Sequence, residues 1–253
     1  MNKTALITGA TSGIGLASAH RLASSGYSLY LSGRRTDRLE ALTHELRTKY
    51  PSQNFEFATM DVRNREEVRS VIGMWSLPSL DLLLNNAGLA AGADPFQTGD
   101  YINWDRMIDT NLKGLIYVTE ACIPYLKKGN HPMIINIDST AGKEAYPGGN
   151  VYCATKHGVD ALTKGMRMDL LNDGIRVGMV SPGLVETEFS IVRFDGDKQK
   201  ADSVYSGMTP LTPEDVAESV HFMATQPTHV SILDIVIMPT DQASSTQVKR
   251  AET

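Results

Sequence analysis

The sequence is poor in cysteine, in clustered basic residues and in long apolar runs, and each shortage excludes a class of protein. Only Cys122 and Cys153 occur among 253 residues, outside any Cys-x-x-Cys pair or Cys/His cluster, so a disulfide framework and a structural zinc site are excluded. The net charge is -5 without a basic run, which excludes a nucleic-acid surface. No apolar run approaches the roughly 18 residues of a membrane-spanning helix.

The two ends of the chain carry no targeting signal that we recognise. The opening MNKTALITGA passes from Met1 directly into an apolar strand, which leaves no room for a secretory signal and its cleavage site. The closing QVKRAET is no lipidation signal. With 42% hydrophobic and 21% charged residues, we expect a soluble, cytoplasmic protein that binds neither nucleic acid nor a membrane nor a metal ion.

Short apolar strands alternate with longer segments of helical periodicity, which is the pattern of a parallel sheet covered by helices on both faces. Strands are predicted at residues 4–8, 28–32, 55–59, 80–84, 133–137, 176–180 and 233–238. Helices are predicted at 14–24, 37–50, 103–127 and 151–172. No repeat or linker divides the chain, so we predict one α/β domain over residues 1–253. Residues 186–212 lack strong periodicity and form either an excursion over a binding cleft or an ordinary surface insertion.

A glycine-rich turn, TGATSGIG at residues 8–15, joins the first predicted strand to the first predicted helix. Its glycines allow a tight turn, a close approach of backbone N–H groups to a pyrophosphate, and close helix packing, with the anion at the helix N-terminus. The residues that we assign to nucleotide binding here are Gly9, Thr11, Ser12, Gly13, Ile14 and Gly15.

The second predicted strand ends in SGRRTDR, which bears on the choice of nucleotide. An acidic residue at this place commonly binds the adenosine ribose of NAD, whereas an arginine accommodates the 2′-phosphate of NADP. Here Gly33 leaves space and Arg34 and Arg35 supply two guanidinium groups, so NADP is favoured. The alternative is that both arginines merely begin a solvated helix and pair with Asp37 or Glu40.

Two further polar segments follow predicted strands. Asp61 and Val62 end the third strand, and the NNAG segment, with Asn85, Ala87 and Gly88, ends the fourth. Ligands of open parallel sheets bind beyond the carboxyl ends of the strands. We therefore expect these five residues to contact the adenine and a ribose, although alone such segments indicate only turns.

GNVYCATK, residues 149–156, puts Tyr152 and Lys156 four residues apart, on one face of a helix. Taken alone, the two form a common chance pair on a solvated helix. Together with the glycine-rich turn, NNAG and the preceding Ser139, however, they make the chain resemble the short-chain dehydrogenase/reductase family over essentially its whole length. The resemblance implies a doubly wound Rossmann-type sheet of seven parallel strands, an oxidoreductase activity, and a catalytic set of Asn111, Ser139, Tyr152 and Lys156.

The resemblance also implies a role for each residue of this set. A free tyrosine has a pKa near 10, but a nearby ammonium and an oxidised nicotinamide both favour the phenolate. Tyr152 is then the general acid or base, and Lys156 lowers its pKa and holds the nicotinamide ribose. Ser139 hydrogen-bonds the substrate carbonyl oxygen. Asn111 holds a water molecule that links Lys156 to solvent.

By the same resemblance, the segment after the sixth strand holds the nicotinamide. Pro182 and Gly183 turn the chain beneath the ring, and Val185 and Thr187 reach its carboxamide and a phosphate. Family members commonly form tetramers through their two long helices, here predicted at 103–127 and 151–172.

Several stretches, among them AYPGGNVYCATK and PGLVETEFSIVRF, resemble one branch of the family, the NADP-dependent 3-hydroxy acid dehydrogenases. Such enzymes act on serine, allo-threonine and related short 3-hydroxy acids and reduce malonic semialdehyde. A substrate carboxylate needs a cationic partner, and Arg193 is the candidate, with Tyr146 as a wall of the pocket. The alternative is that Arg193 is a surface residue that pairs with Asp195 or Asp197, and that Tyr146 only fills space in the core or at the surface.

The chain departs from this branch near the catalytic serine. Asp138 stands where glycine is usual, residues 143–145 are less aromatic than expected, and Cys153 replaces a glycine. Asp138 either repels an acidic substrate or pairs with Lys143. These departures keep two alternatives open: a reductase of another ketone, aldehyde or 3-oxoacyl substrate, and a non-catalytic protein that senses NADP.

Overall fold

The carboxyl ends of seven parallel strands share one edge of the molecule in the computed structural model, which describes residues 3–251. The sheet has the order β3-β2-β1-β4-β5-β6-β7. Its strands are β1 (Lys3–Thr8), β2 (Tyr27–Gly33), β3 (Phe55–Thr59), β4 (Leu82–Asn85), β5 (Met133–Ile137), β6 (Arg176–Pro182) and β7 (Asp234–Ile237). The predicted Rossmann-type sheet is confirmed. Residues 1, 2, 252 and 253 of the predicted domain lie outside the described residues.

Helices cover both faces of this sheet. They are α1 (Gly13–Ser24), α2 (Thr36–Lys49), α3 (Arg65–Met74), α4 (Tyr101–Ile108), α5 (Leu115–Leu126), α6 (Asn150–Asp169), α7 (Glu188–Arg193), α8 (Lys198–Ser203) and α9 (Pro213–Ala224). Within residues 3–251, none of the helices has the length and apolar character that crossing a membrane requires.

Alternation along the strands divides the core into two layers. Ile7 of β1 packs on the face that carries α1, α2 and α9, with Val216 of α9 in the same apolar cluster. Its neighbour Leu6 packs on the opposite face, with Val68 of α3 and Val118 of α5. Burial on both faces explains why the strands read as continuous apolar runs.

The helix predicted at 103–127 is interrupted in its middle. A π-helical turn, Asp109–Gly114, separates α4 from α5 and contains Asn111. Gly114 allows close packing here, because a Cβ on it would lie 2.7 Å from the Cγ2 atom of Val62. Such turns insert one residue into a helix and are frequent at functional sites.

The strands that follow β1 in the sequence are added to the sheet on both sides of β1. The chain first adds β2 and β3 on one side of β1, and then adds β4 to β7 on the other. The loops that follow β1 and β4 therefore diverge, which opens a cleft at their carboxyl ends.

Candidate active site

A cleft of about 480 Å³ lies at the carboxyl ends of β1 and β4, within the usual size range of small-molecule sites. Most of the predicted site residues line it, together with residues of the segment 186–212. The predicted residues in its lining are Gly9, Thr11, Ser12, Gly13, Ile14, Arg34, Arg35, Asp61, Val62, Ala87, Gly88, Ser139, Tyr146, Tyr152, Lys156, Pro182, Gly183, Val185, Thr187 and Arg193. The remaining three, Gly15, Asn85 and Asn111, lie outside the lining.

The glycine-rich turn has the geometry that a bound pyrophosphate needs. Gly9 and Gly13 have φ angles of +68° and +52°, in the left-handed region that favours glycine. Gly15 lies behind the turn, where a Cβ would be 2.3 Å from the carbonyl oxygen of Gly9, so its role is helix packing. Ser12 precedes α1 without a side-chain capping hydrogen bond, so the first N–H groups of the helix are open to an anion.

The two arginines after β2 have different surroundings. Arg35 donates to the Thr11 hydroxyl oxygen, at 3.2 Å from Nε, and pairs with Glu188 at 2.7 Å. Arg34 is exposed and makes no hydrogen bond or ion pair with any residue in 3–251. The alternative pairing with Asp37 or Glu40 is therefore not found among the described residues.

NNAG begins at the last residue of β4, and here one prediction is wrong. Asn85 points into the core, where its amide donates to the Thr119 hydroxyl and to Asn136 Oδ1, both at 2.9 Å. The next residue, Asn86, faces the cleft and donates to the carbonyl oxygens of Thr8 and Gly9. Successive strand residues face opposite sides, so the asparagine that faces the cleft is Asn86, one position later than predicted.

Asp61 stands at the cleft with its carboxylate already engaged. Arg63 donates to both carboxylate oxygens at 3.0 Å through Nε. This hydrogen bonding lowers the pKa of Asp61, which is therefore a stable anion in the cleft lining.

Tyr152, Lys156 and Ser139 meet at the far end of the cleft, where α6 packs against the end of β5. Tyr152 and Lys156 are both buried, and Lys156 Nζ donates to the carbonyl oxygen of Ile137 at 2.8 Å. Tyr152 hydrogen-bonds with Ser139, whose hydroxyl also accepts from the backbone N–H of Ala141 at 3.1 Å. The helical face predicted from the four-residue spacing is the face that borders the cleft.

The protein environment of Tyr152 differs from the expected one. Burial raises the pKa of Tyr152 above its ordinary value, and its hydrogen bond with Ser139 opposes this only in part. Burial lowers the pKa of Lys156, whose Nζ is 6.0 Å from the Tyr152 ring centroid. The expectation that Lys156 makes the phenol acidic is thus not met by the chain alone.

Asn111 lies behind Tyr152 and Lys156 and is held there by the π-helical turn. Its Oδ1 accepts from the backbone N–H of Leu89 at 2.9 Å, and its Nδ2 donates to the Leu89 carbonyl at 2.8 Å and to Thr155 at 3.1 Å. Asn111 Oδ1 and Lys156 Nζ lie 3.2 and 3.8 Å from the point where Gly88 would carry a Cβ. Because Gly88 has no side chain, a small space remains there that both Asn111 Oδ1 and Lys156 Nζ border.

Asp138 pairs with Lys143, as one of the two sequence interpretations proposed. Lys143 Nζ lies 3.4 Å from Asp138 Oδ2, and 3.1 and 2.9 Å from oxygens of Asp160 and Asp234. Burial raises the pKa of Asp138, while Lys156 and Lys143 oppose the rise. One ammonium thus connects α6, β7 and the segment directly after β5, behind Ser139.

Arg193 reaches the cleft from the end of α7. Its Nε donates to the carbonyl oxygen of Gly92 at 3.1 Å, and one terminal nitrogen donates to the Tyr146 hydroxyl at 3.2 Å. Its expected alternative partners are engaged elsewhere: Asp195 lies 3.8 Å from Arg106, and Asp197 lies 3.5 Å from Lys200. Within the described residues, Arg193 makes no ion pair, so its charge faces the cleft uncompensated.

Several lining residues were not predicted. Phe189 packs edge-on against Tyr152, with ring centroids 5.8 Å apart. Gln242 accepts from the backbone N–H of Leu184 at 2.8 Å and supports the turn at Gly183, where a Cβ would be 2.3 Å from its side-chain oxygen. Phe189 could have been inferred from its place two residues after Thr187, but no local pattern indicates Gln242.

Comparisons with known proteins identify the class to which this site belongs. A family model described as short chain dehydrogenase matches residues 3–197. The chain therefore belongs to the short-chain dehydrogenase family and is an oxidoreductase, as the motifs predicted.

Individual relatives match nearly the whole chain. Sulfoacetaldehyde reductase 2 of Chromohalobacter salexigens is 45% identical over 250 residues, 97% of each protein. The NADP-dependent 3-hydroxy acid dehydrogenase YdfG of Salmonella typhi is 46% identical over 243 residues, 94% of this chain and 95% of that protein. A closed form of serine dehydrogenase complexed with NADP+ matches at a TM-score of 0.90 and 42% identity, covering 98% of this chain and 100% of that one.

Proposed function

We propose that the protein is an NADP-dependent oxidoreductase that transfers hydride between the nicotinamide and a short 3-hydroxy or 3-oxo acid. One observation carries the proposal: the cleft that holds Ser139, Tyr152 and Lys156 also holds the uncompensated charge of Arg193. The glycine-rich turn and Arg34 fit the pyrophosphate and the 2′-phosphate of the nucleotide. Relatives named as NADP-dependent 3-hydroxy acid dehydrogenases support the same nucleotide and substrate class.

The nucleotide, when bound, supplies or accepts the hydride. Tyr152 gives the proton to the substrate oxygen during reduction and takes it back during oxidation. Ser139 donates a hydrogen bond to the same oxygen, where negative charge develops during reduction. Burial raises the pKa of Tyr152, so the phenol carries its proton before reduction, and a neighbouring positive charge has to favour the phenolate as that proton leaves.

Lys156 and Asn111 serve the proton path in this proposal. Lys156 holds the nicotinamide ribose, and its ammonium stabilises the phenolate when Tyr152 has lost its proton. Asn111 holds a water molecule beside Lys156, in the space that Gly88 leaves. The contact of Asn111 with both Leu89 backbone groups fixes its orientation for this purpose.

Arg193 and Tyr146 form the anion site. The guanidinium and the phenol are joined at 3.2 Å and offer donors to a substrate carboxylate. A sulfonate has the same charge and similar acceptors, and a relative is named sulfoacetaldehyde reductase 2. An acidic group separated by one carbon from the reacting carbonyl is thus the shared chemistry, and carboxylate and sulfonate substrates are separate arms of the test.

The test compares the wild-type protein with Arg193→Met. The consumption of NADPH measures the reduction of three substrates: malonic semialdehyde, sulfoacetaldehyde and a neutral short aldehyde. We expect kcat/KM of Arg193→Met to fall on the order of 100-fold for the acidic substrates, the loss of one charge-assisted hydrogen-bonded pair of about 2–3 kcal/mol, and little for the neutral one. Arg106→Met removes a nearby guanidinium outside the cleft lining and is the matched control.

Each alternative has its own outcome in this test. If the protein turns over neutral carbonyl compounds but neither of the two acidic substrates, the proposed acidic substrate is contradicted. The result would favour a reductase of another ketone, aldehyde or 3-oxoacyl compound. Tight NADPH binding with no turnover of any carbonyl would favour the sensor.

We further infer a homotetramer that works in the cytoplasm, with residues 186–212 covering the substrate. The tetramer is supported by the family resemblance and by exposed apolar side chains on α5 and α6, such as Ile116 and Met168, 43% and 71% exposed. The cytoplasm is supported by Cys122 and Cys153, which are both free thiols. The covering role is supported by the cleft contacts of α7.

A further inference from the structure

Three charged side chains join the covering segment to the far side of the nucleotide cleft. Glu188, in the first turn of α7, lies 2.7 Å from Arg35 and 2.8 Å from Arg38, one carboxylate oxygen to each. Arg35 and Arg38 belong to the junction of β2 with α2. We call Arg35, Arg38 and Glu188 the clasp.

The clasp continues into the glycine-rich turn. The guanidinium of Arg35 also donates to the side-chain oxygens of Thr11, at 3.0 Å, and Ser12, at 2.8 Å. Next to Glu188, the methyl group of Thr187 lies 3.3 Å from the point where Gly13 would carry a Cβ. The first turn of α7 thus stands over the turn that fits the pyrophosphate.

The two arginines after β2 are therefore not equivalent. Every guanidinium nitrogen of Arg35 is engaged by Thr11, Ser12 or Glu188. Arg34 lines the same cleft, where its charge helps to lower the pKa of Asp61, and it makes no hydrogen bond or ion pair with residues 3–251. The hydrogen bonds of Arg35 and Arg38 also lower the pKa of Glu188, so its carboxylate is charged at neutral pH.

We propose that Glu188 is a positioning residue that holds α7 over the bound nucleotide through Arg35 and Arg38, and that Arg34 alone provides the guanidinium for the 2′-phosphate. The inference rests on the proposed nucleotide site. The clasp acts on the pyrophosphate, which NADP and NAD share, so loosening it speeds the release of both nucleotides alike. Arg34 acts only on the 2′-phosphate and sets the preference for NADP.

A competing arrangement predicts the opposite result. If the 2′-phosphate had to displace Glu188 from Arg35, neutralising Glu188 would remove a competitor. NADPH would then dissociate more slowly, and NADH would be unaffected.

The experiment measures dissociation rate constants of NADPH and NADH by stopped-flow fluorescence. Glu188→Gln removes the charge and keeps the size of the side chain. Glu186→Gln, two residues earlier in the same segment, removes an exposed carboxylate that makes no contact with the clasp and is the matched control. We expect Glu188→Gln to raise both rate constants roughly three- to tenfold, the range for a partly exposed, hydrogen-bonded charge pair, and the control to change neither. An unchanged or slower release of NADPH, or a change confined to one nucleotide, overturns the clasp.

Two further variants separate this proposal from the proposed function. Arg34→Ala should weaken the binding of NADPH and leave the binding of NADH unchanged. Equal losses of affinity for the two nucleotides would contradict the different roles of Arg34 and Arg35. In a double-mutant cycle, Arg35→Ala and Glu188→Gln together should raise the release rates by less than the product of their separate effects, because both break one contact. If the wild-type protein binds NADPH no more tightly than NADH, the proposed function itself fails, whatever the clasp variants do.

Discussion

The carboxyl group of Asp138 is buried directly beside the serine that is proposed to bind the substrate. Its residue is only 2% exposed, and Oδ1 has no hydrogen-bond partner among the described atoms. Around it lie Lys143, which also faces Asp160 and Asp234, and Lys156. Burial favours the protonated form of Asp138, whereas the two ammonium groups favour the ionised form, so the two effects oppose each other at this carboxyl group.

Replacing Asp138 with Asn should change how stability depends on pH. Since burial raises the pKa of Asp138 above 3.8, the folded protein binds this proton more tightly than the unfolded chain, and its stability falls as pH rises through that raised pKa. Asn cannot lose a proton, so the variant lacks this loss. We expect the melting temperature of Asp138→Asn, relative to wild type, to increase as the pH is raised from about 4 to neutral. A difference that is constant or shrinks over this range would contradict the raised pKa.

Single residues also mark where sequence reasoning stops. The face shared by Tyr152 and Lys156 follows from helical geometry and was predicted correctly. Asn85 and Asn86 are chemically identical neighbours, and only the strand's orientation decides which faces the cleft. Lys143 joins three carboxylates that are distant in sequence, and no local pattern indicates more than its pairing with Asp138.

At the scale of elements, all seven strands were predicted because buried parallel strands are short apolar runs between polar loops. The helix predicted at 103–127 is divided by the π-helical turn, which was not predicted because a single turn within a helical segment is too short to show a period of its own. The helices α7 and α8 have six residues each, too few to show a period.

The exposed apolar side chains of α5 and α6 lead to a prediction about assembly. In the single chain, Met168 of α6 is 71% exposed, so a charge there leaves the fold intact. Inside a helix-to-helix interface, the same charge would be buried without a partner. We expect light scattering to give the wild-type protein four times the mass of one chain, and Met168→Glu a smaller mass with an unchanged circular dichroism spectrum. A wild-type protein that is monomeric at micromolar concentration would rule out the tetramer.

The whole molecule joins parts of the chain that the sequence separates widely. The alternation of strands and helices predicts a parallel sheet, and the sheet predicts a cleft at the carboxyl ends of its strands. The closure of that cleft was not predictable: Gln242 returns from beyond β7 to the turn after β6, and Glu188 crosses to the start of α2. Both contacts depend on the complete fold rather than on a local pattern.

The central claim is that the phenol of Tyr152 exchanges a proton with the substrate oxygen while hydride moves to or from the nicotinamide. The most direct test is the turnover of malonic semialdehyde by Tyr152→Phe, with NADPH affinity measured on the same protein and Tyr125→Phe, outside the cleft, as the control. We expect turnover to fall by roughly 10²- to 10⁴-fold, the usual contribution of a general acid, with NADPH affinity nearly unchanged. Turnover of Tyr152→Phe close to that of the wild-type protein would contradict the account.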